Sequence, residues 1–330
     1  MASSVYTAKN ARVRLAWGRA SRRDTLKSPD APRSGQSIWD DLRSFEQALR
    51  KGAAQARLEA RDPELASIFS SVGKRRRSRG ETPQIQLGKP ATTQQVGRAD
   101  AGTLLDFKRV GTSVAILRVA KPADMQFRAG QHLKLLFPNG AKNPYTIASA
   151  PSDPHLEFCI ERVPGGRVSS MLFELKPGAH VQVDAKPKGS FVLQPSADLH
   201  LMFATVTGIS PFRSILREAA ATGRWSRFVV VQGASFAEEL VYREELEALA
   251  KAHPQHVRYL PSVSRPTDPQ NRGFSGLTGR LPALAPALIR ELQAGSKRIQ
   301  IYACGHPEMV QAIHALGVDH GLPVASEVFD

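Results

Sequence analysis

Three short stretches of the 330-residue chain bring together residue types that chemistry uses. The first, "NPYTIASAP" from Asn143 to Pro151, alternates like a strand, with Tyr145, Ile147 and Ser149 on one side and Thr146 and Ala148 on the other. A plain core strand carries Val, Ile or Leu at such positions. This one offers an aromatic, a hydroxyl and small neighbours, which leaves room for something flat to lie against it. The second, "ATVTGISPFRSIL", ends an apolar run at Thr205, turns at Gly208 and enters a helix near Ser210–Pro211. Free N–H groups at a helix start beside a glycine turn suit a phosphate. The third, "YACGHPEM", repeats that plan with Cys304, Gly305 and Pro307. Each stretch also has a plainer reading. Gly208 can serve an ordinary strand-to-helix turn, and a lone cysteine at a strand end is often a small buried hydrophobe.

The elements that must position these residues change character along the chain. Residues 101–196 give short alternating runs broken by Gly and Pro: "TLLDFKRV", "SVAILRVA", "QHLKLLF", "LEFCIERV", "HVQVDA" and "SFVLQ". Six or seven strands at this spacing suggest an antiparallel β-barrel. Residues 197–330 switch to strand–helix alternation, from "LHLMFATV" to "PEMVQAIHALGV", which predicts an α/β doubly wound parallel sheet. In such a sheet the turns after Thr205 and Cys304 both lie at the carboxyl ends of strands, where ligands bind, and Cys304 is expected to face the crevice.

Residues 1–100 are expected to form a basic, partly helical and partly disordered extension. Trp39, Leu42, Phe45, Leu49 and Leu58 mark an amphipathic helix over roughly 37–72, restarted at "DPEL"; roughly 73–100 reads as a linker. The helix needs a surface to cover, on this chain or on a partner. Of the net charge of +15, most sits here, because residues 1–90 hold 19 Lys and Arg against 9 Asp and Glu. The block "KRRRSR" suits an anionic partner or a solvated linker, and no aromatic pattern of nucleic-acid binding accompanies it, so nucleic acid is not expected. No apolar run approaches the roughly 20 residues of a membrane helix, and no apolar segment follows the start as a secretory signal requires. A cytoplasmic protein is expected. The composition of residues 1–35 overlaps with an organellar transit peptide, and it equally fits a disordered tail or a start placed too far upstream. Two cysteines, Cys159 and Cys304, exclude a four-cysteine iron–sulfur or zinc site within the chain.

The order "PYTIAS", "GGRVSSMLFELKPG", "KGSFVL", "TGISPFRSIL", "GASFAEELVYREEL", "YACGHPEM" and a terminal "EVF" resembles the ferredoxin–NADP reductase family over residues of about 101–330. The resemblance implies an FAD-binding barrel followed by an NAD(P)-binding domain. It implies that Tyr145 lies against the isoalloxazine ring and that Thr146 hydrogen-bonds near flavin N5, with Ile147 completing the segment. Asn143 stands where the family has an arginine for the flavin pyrophosphate; Lys142 and Arg167 are candidates to supply that charge. Gly166, Arg167, Val168 and Ser169 match the family stretch that holds the pyrophosphate. Thr207 and Gly208 match the nucleotide turn, in which Val206 replaces a glycine. A β-branched residue resists positive φ, so the turn is expected to run at negative φ there, or the pyrophosphate to sit further out. Cys304 and Gly305 match the nicotinamide position, Glu327 a glutamate beside it, and Phe329 the aromatic that covers the flavin and must move aside.

Ser235, Arg265 and Arg280 match positions that contact the 2′-phosphate, and no acidic residue stands next to Gly233, which favours NADP(H) over NAD(H). FAD is expected ahead of FMN. The implied activity is flavin-dependent transfer of electrons from NAD(P)H to a separate acceptor: ferredoxin, flavodoxin or an oxygenase component. Thr146, Cys304, Glu327 and Phe329 are its expected catalytic residues, and an acidic electron-transfer protein is the expected partner of the basic surface. The competing class is a non-catalytic scaffold on the same fold, which Asn143 and Val206 recommend as departures from the ligand-contacting pattern.

Overall fold

A computed structural model describes residues 43–48, 50, 101–136, 142–163, 166–184, 186–296 and 298–329, with the backbone alone described for Arg167, Val168 and Ser169. The first body is a barrel of six antiparallel strands: β1 (Leu104–Val110), β2 (Val114–Ala120), β3 (His132–Leu136), β4 (Lys142–Thr146), β5 (His155–Glu161) and β6 (Gln182–Val183). They form two sheets, in the orders β1-β2-β5 and β4-β3-β6. Single bridges, Ile147 to Phe158 and Thr103 to His180, join the sheets at both edges and close the ring. Helix α1 (Arg167–Glu174) buries Leu172 and Phe173 against the barrel interior.

The second body is a six-stranded parallel sheet in the order β10-β9-β8-β7-β11-β12. Its strands are β7 (Leu199–Thr205), β8 (Arg227–Ala234), β9 (Val257–Val263), β10 (Leu277–Thr278), β11 (Ile299–Gly305) and β12 (Val324–Val328). Helices α2 (Ser210–Thr222) and α3 (Arg243–Ala252) cover one face, and α4 (Leu281–Gly295) and α5 (Pro307–Asp319) the other. Alternation sorts the strands between the faces. Leu201, Phe203, Val229 and Ile301 pack with α4 and α5, while Met202, Ala204, Val230 and Tyr302 pack with α2 and α3. The chain moves outward from β7 in one direction and returns through β11 in the other. The ends of β7 and β11 are therefore the switch point of the sheet, where such folds bind ligands.

Strands β2 and β5 are buried on both faces. Ala115, Leu117 and Val119 point into the barrel, while Val114 and Ile116 join the cluster of the α2 face; Phe158 and Cys159 divide in the same way. This double burial explains why "SVAILRVA" and "LEFCIE" carry so few polar residues. The segment "SFVLQ", expected as a strand, is irregular. Phe191 instead sets its ring 5.8 Å from Phe212 and edge-on 5.7 Å from Tyr302, and Gln194 N–H donates to the Tyr302 hydroxyl at 2.9 Å. Aromatic contacts to the sheet body take the place of ladder pairing.

Of the expected helix over 37–72, residues 43–48 and 50 are described and helical; the remainder, with the "KRRRSR" block, lies outside the described residues. Phe45 packs against the cluster of the α4–α5 face, and Arg50 donates to the Ser275 carbonyl at 3.0 Å. This part of the extension covers the body of its own chain. No helix among the described residues is long and apolar enough to cross a membrane.

Candidate active site

The barrel side of the site starts from strand register. Tyr145 of β4 stands opposite Leu133 of β3, and Thr146 stands opposite His132. Directly opposed residues share a face. Tyr145 is half-buried against the barrel cluster, where burial raises its phenol pKa and a side-chain hydrogen bond with Asn143 partly offsets the rise. Thr146 turns the other way. It is buried, and its Oγ1 has no partner among the described residues. Asn143 is exposed, and Ile147, Ala148 and Ser149 are buried.

Helix α2 fixes the chain that follows Thr146. Arg213 Nη1 donates to the Ala148 carbonyl at 2.8 Å, and Ser214 Oγ donates to the Ser149 carbonyl at 2.6 Å. Arg217 forks onto Asp153 at 2.8 and 3.0 Å. Beneath this clamp lies Glu157 of β5, with no exposed surface, between Arg118 Nε at 2.6 Å and Arg213 Nη1 at 2.9 Å. Burial alone would raise the Glu157 pKa, but His155, Arg213 and Arg118 outweigh it and pull it down to about 2. His155 Nε2 stands 3.8 Å away, so the two guanidiniums are the firm partners.

On the sheet side, the ends of β7 and β11 lock together. Thr205 Oγ1 accepts the His306 N–H at 2.8 Å. A Cβ at Gly208 would overlap the Cys304 carbonyl, and one at Gly305, whose φ is +127°, would overlap Thr205. Val206 between them adopts φ +44°, contrary to the negative φ expected of a β-branched residue. The turn is held at both ends by the contacts of Thr205 and Gly208, and Val206 packs on the α2-face cluster, so the neighbours over-determine its conformation. Thr207 is buried, and its carbonyl accepts the Ser210 hydroxyl at 2.8 Å.

Cys304, expected to face the crevice, lies on the face turned toward α2 and the barrel and is fully buried. Burial and the Glu327 carboxylate push its thiol pKa well above the usual range, so it stays a thiol. Phe329 N–H donates to the Gly305 carbonyl at 3.1 Å, and its half-buried ring packs on the cluster that contains Cys304.

Glu327 of β12 stands opposite Cys304. Its Oε1 lies 3.5 Å from His132 Nδ1, across the seam between sheet and barrel, and its Oε2 is buried without a partner among the described residues. Burial raises the Glu327 pKa to about 7. His132 therefore neighbours both Thr146 and Glu327, and two partnerless polar oxygens flank the same seam. Buried oxygens of this kind call for a polar ligand. Glu327, Cys304, Gly305, Phe329 and Gly208, with Thr207 beside it in the chain, form one connected group, and Thr146 adjoins it through His132.

The remaining expected residues lie outward of this group. Gly166 precedes α1, whose start has no side-chain cap; the side chains of Arg167, Val168 and Ser169 lie outside the described residues. Ser235 follows β8, and its N–H donates to Glu239 Oε2 at 3.0 Å. Asn271 ties it to Arg265, donating through Nδ2 to the Ser235 carbonyl at 2.9 Å and to the Arg265 carbonyl at 2.8 Å. The Arg265 guanidinium lies 5.2 Å over the Phe236 ring. Arg280, at the start of α4, is exposed and faces Glu308 at 3.8 Å. Sequence reasoning missed His132, Asn271 and the Glu157–Arg213 pair. A charged residue inside the apolar run "LEFCIE" was the readable sign of the last.

Residues 101–193 match the family described as oxidoreductase FAD-binding domain, and residues 202–315 match the oxidoreductase NAD-binding domain. The chain is 36% identical over 197 residues to ferredoxin–NADP reductase B of Sorangium cellulosum, covering 58% of this chain and 78% of that protein. It is 34% identical over 196 residues to the flavodoxin/ferredoxin–NADP reductase of Escherichia coli, covering 57% and 77%. The reductase component of a propane 2-monooxygenase from Gordonia is 28% identical over 211 residues, covering 63% and 59%. Among solved structures, a ferredoxin NADP+ reductase from Neisseria gonorrhoeae with bound FAD and NADP superposes at a TM-score of 0.59, with 25% identity, over 68% of this chain and 96% of that one.

Proposed function

The chain belongs to the ferredoxin–NADP reductase family, and on that premise we propose that it takes electrons from NADPH through FAD and delivers them singly to a separate acceptor protein. It is an FAD-dependent NAD(P)H oxidoreductase. Bound FAD supplies what side chains cannot, acceptance of a hydride and release of single electrons. The division between the two domains falls at about 196–197 on this reading.

Tyr145 is the aromatic platform for the flavin, and its neighbours are small enough to let a ring approach. Thr146 Oγ1 is the hydrogen-bonding group at the ring edge. Backbone N–H groups of Gly166–Ser169 hold the pyrophosphate, and Asn143 contributes an uncharged amide where the family uses a guanidinium. Thr207 and Gly208 receive the dinucleotide at the switch point. Cys304 and Gly305 form the floor under the nicotinamide, Glu327 orients it, and Phe329 covers the flavin until displaced. Ser235 and Arg265, held together by Asn271, receive the 2′-phosphate, with Arg280 further out.

The observation that carries the reading is the pair of buried, partnerless oxygens, Thr146 Oγ1 and Glu327 Oε2, on opposite sides of the seam at the sheet's switch point. An acidic ferredoxin- or flavodoxin-like protein suits the excess of positive charge. The test is to identify the flavin released from purified protein and to follow anaerobic flavin reduction by NADPH and by NADH. FAD and faster reduction by NADPH are expected. Protein that takes up no flavin overturns the whole reading, whereas faster reduction by NADH overturns only the preference for NADP.

A further inference from the structure

We propose that His132 is a positioning residue for Glu327, holding one carboxyl oxygen across the seam and carrying protons between that carboxyl group and solvent. The inference rests on the reading of Glu327 as part of the nicotinamide pocket, but its own basis is geometric. His132 lies on the barrel, opposite Thr146, and Glu327 lies on the last strand of the sheet, opposite Cys304. Their side chains meet at 3.5 Å between Nδ1 and Oε1. The contact engages one carboxyl oxygen and leaves Oε2 buried and unpartnered. Glycine at position 189 makes room for the ring, since a Cβ there would lie 3.0 Å from His132 Nδ1.

The charge balance of the pair favours a shared proton. Burial, Lys134 and Lys188 lower the His132 pKa, so the imidazole is neutral at pH 7. Burial raises that of Glu327 to about 7, so the carboxyl group is about half protonated there. The remaining titratable neighbour, Cys304, is a thiol throughout this range. Side-chain exposures of 24% for His132 and 23% for Glu327 give both groups a route to water. A proton received by the carboxylate passes to imidazole Nδ1, and another leaves the imidazole from Nε2, which conserves charge. A phenylalanine at position 132 would fill similar space and offer neither function.

The test uses the full-length, FAD-loaded protein. The His132 resonance is assigned by its loss in His132→Gln and titrated by NMR in wild type and in Glu327→Gln. His132 titrates below its usual value, where the Glu327 carboxyl group is already mostly protonated, so only a small shift is expected on the imidazole side and the coupling is read on the carboxyl side. The reciprocal titration follows the Glu327 carboxyl carbon in His132→Gln, where the pKa is expected to rise. In the pH profile of flavin reduction by NADPH, His132→Phe is expected to move the inflection near pH 7, while His132→Gln restores rate without restoring the profile. A Glu327 titration that is identical with and without the His132 imidazole overturns the proposal even in an active enzyme. Coupled titrations in a protein that NADPH fails to reduce leave the pairing standing and overturn the proposed function instead.

Discussion

Glu157 of the barrel and Arg213 of helix α2 form a 2.9 Å ion pair across the two bodies, with side-chain exposures of 0% and 5%. Arg213 also donates to Glu245 at 2.8 Å and lies 4.1 Å over the Tyr242 ring, and Tyr242 itself sits at φ +63°. A buried charge is tolerable only when paired and hydrogen-bonded, and Arg213 has Glu157, Glu245 and the Ala148 carbonyl as partners. Because the same guanidinium holds the Ala148 carbonyl, the latch fixes the chain immediately after Thr146. It thereby links the electrostatics of the seam to the placement of the candidate site.

Removing one member of the latch leaves the other buried with one charge partner fewer, since Glu157 keeps Arg118 and Arg213 keeps Glu245. Arg213→Met is expected to cost about 3–5 kcal/mol, and Glu157→Gln in the same chain to recover part of it, measured by urea unfolding of the single and double variants. The Glu157 pKa is depressed to about 2, so its contribution is complete above the unfolded value of 4.5 and is lost as pH falls through about 2. Wild type is therefore expected to lose more stability than Glu157→Gln over that acid range.

Glu327 has the opposite sign. Its pKa is raised from 4.5 to about 7, so between those values the folded chain holds a proton that the unfolded chain has released. Stability falls as pH rises through this window and levels off above it. Glu327→Gln is expected to be more stable than wild type by ~1–3 kcal/mol at pH 8, with the gain vanishing near pH 4. Unfolding curves at the two pH values check this.

Val206 holds a β-branched side chain at φ +44°. Strain of this kind costs about 1–3 kcal/mol, and Val206→Gly removes it while losing packing and adding chain entropy. The variant is expected to stay within about 1 kcal/mol of wild type and to bind NADP+ more tightly, measured by unfolding and by calorimetric titration. A loss well beyond that amount would show that the side chain, not the turn, matters there.

Arg265 and Ser235 share the Asn271 clamp. If they receive the 2′-phosphate, Arg265→Ala raises KM for NADPH by about tenfold and leaves KM for NADH unchanged, as loss of one charge-assisted hydrogen bond requires. Steady-state kinetics with both nucleotides check it. A parallel rise for both would assign Arg265 a merely structural part.

Much of the fold was legible because alternation and strand–helix rhythm are local signals. "LHLMFATV" and "RIQIYAC" read as buried parallel strands and are β7 and β11. What stayed illegible depends on contacts between distant segments. "SFVLQ" has the pattern of a strand, yet Phe191 is drawn to Phe212 and Tyr302. Val206 violates a local preference because Gly208 and Thr205 fix the turn from both sides. Nothing in "QHLKLLF" singled out His132, and only the approach of β12 gives it a carboxylate partner. The motif residues Thr146, Cys304 and Gly305 were visible as types at turns and strand ends. Their convergence was an expectation of the family resemblance alone, since no local pattern shows how the barrel packs on the sheet.

Thr146 Oγ1, unpartnered among the described residues, is proposed to bond the flavin at the seam where the nicotinamide arrives. Rapid-mixing measurement of flavin reduction by NADPH in Thr146→Val, with FAD content matched to wild type, tests it most directly. The variant is expected to bind FAD and to be reduced about 10- to 100-fold more slowly, the scale of one lost orienting hydrogen bond. Reduction at the wild-type rate with full FAD content would contradict the claim.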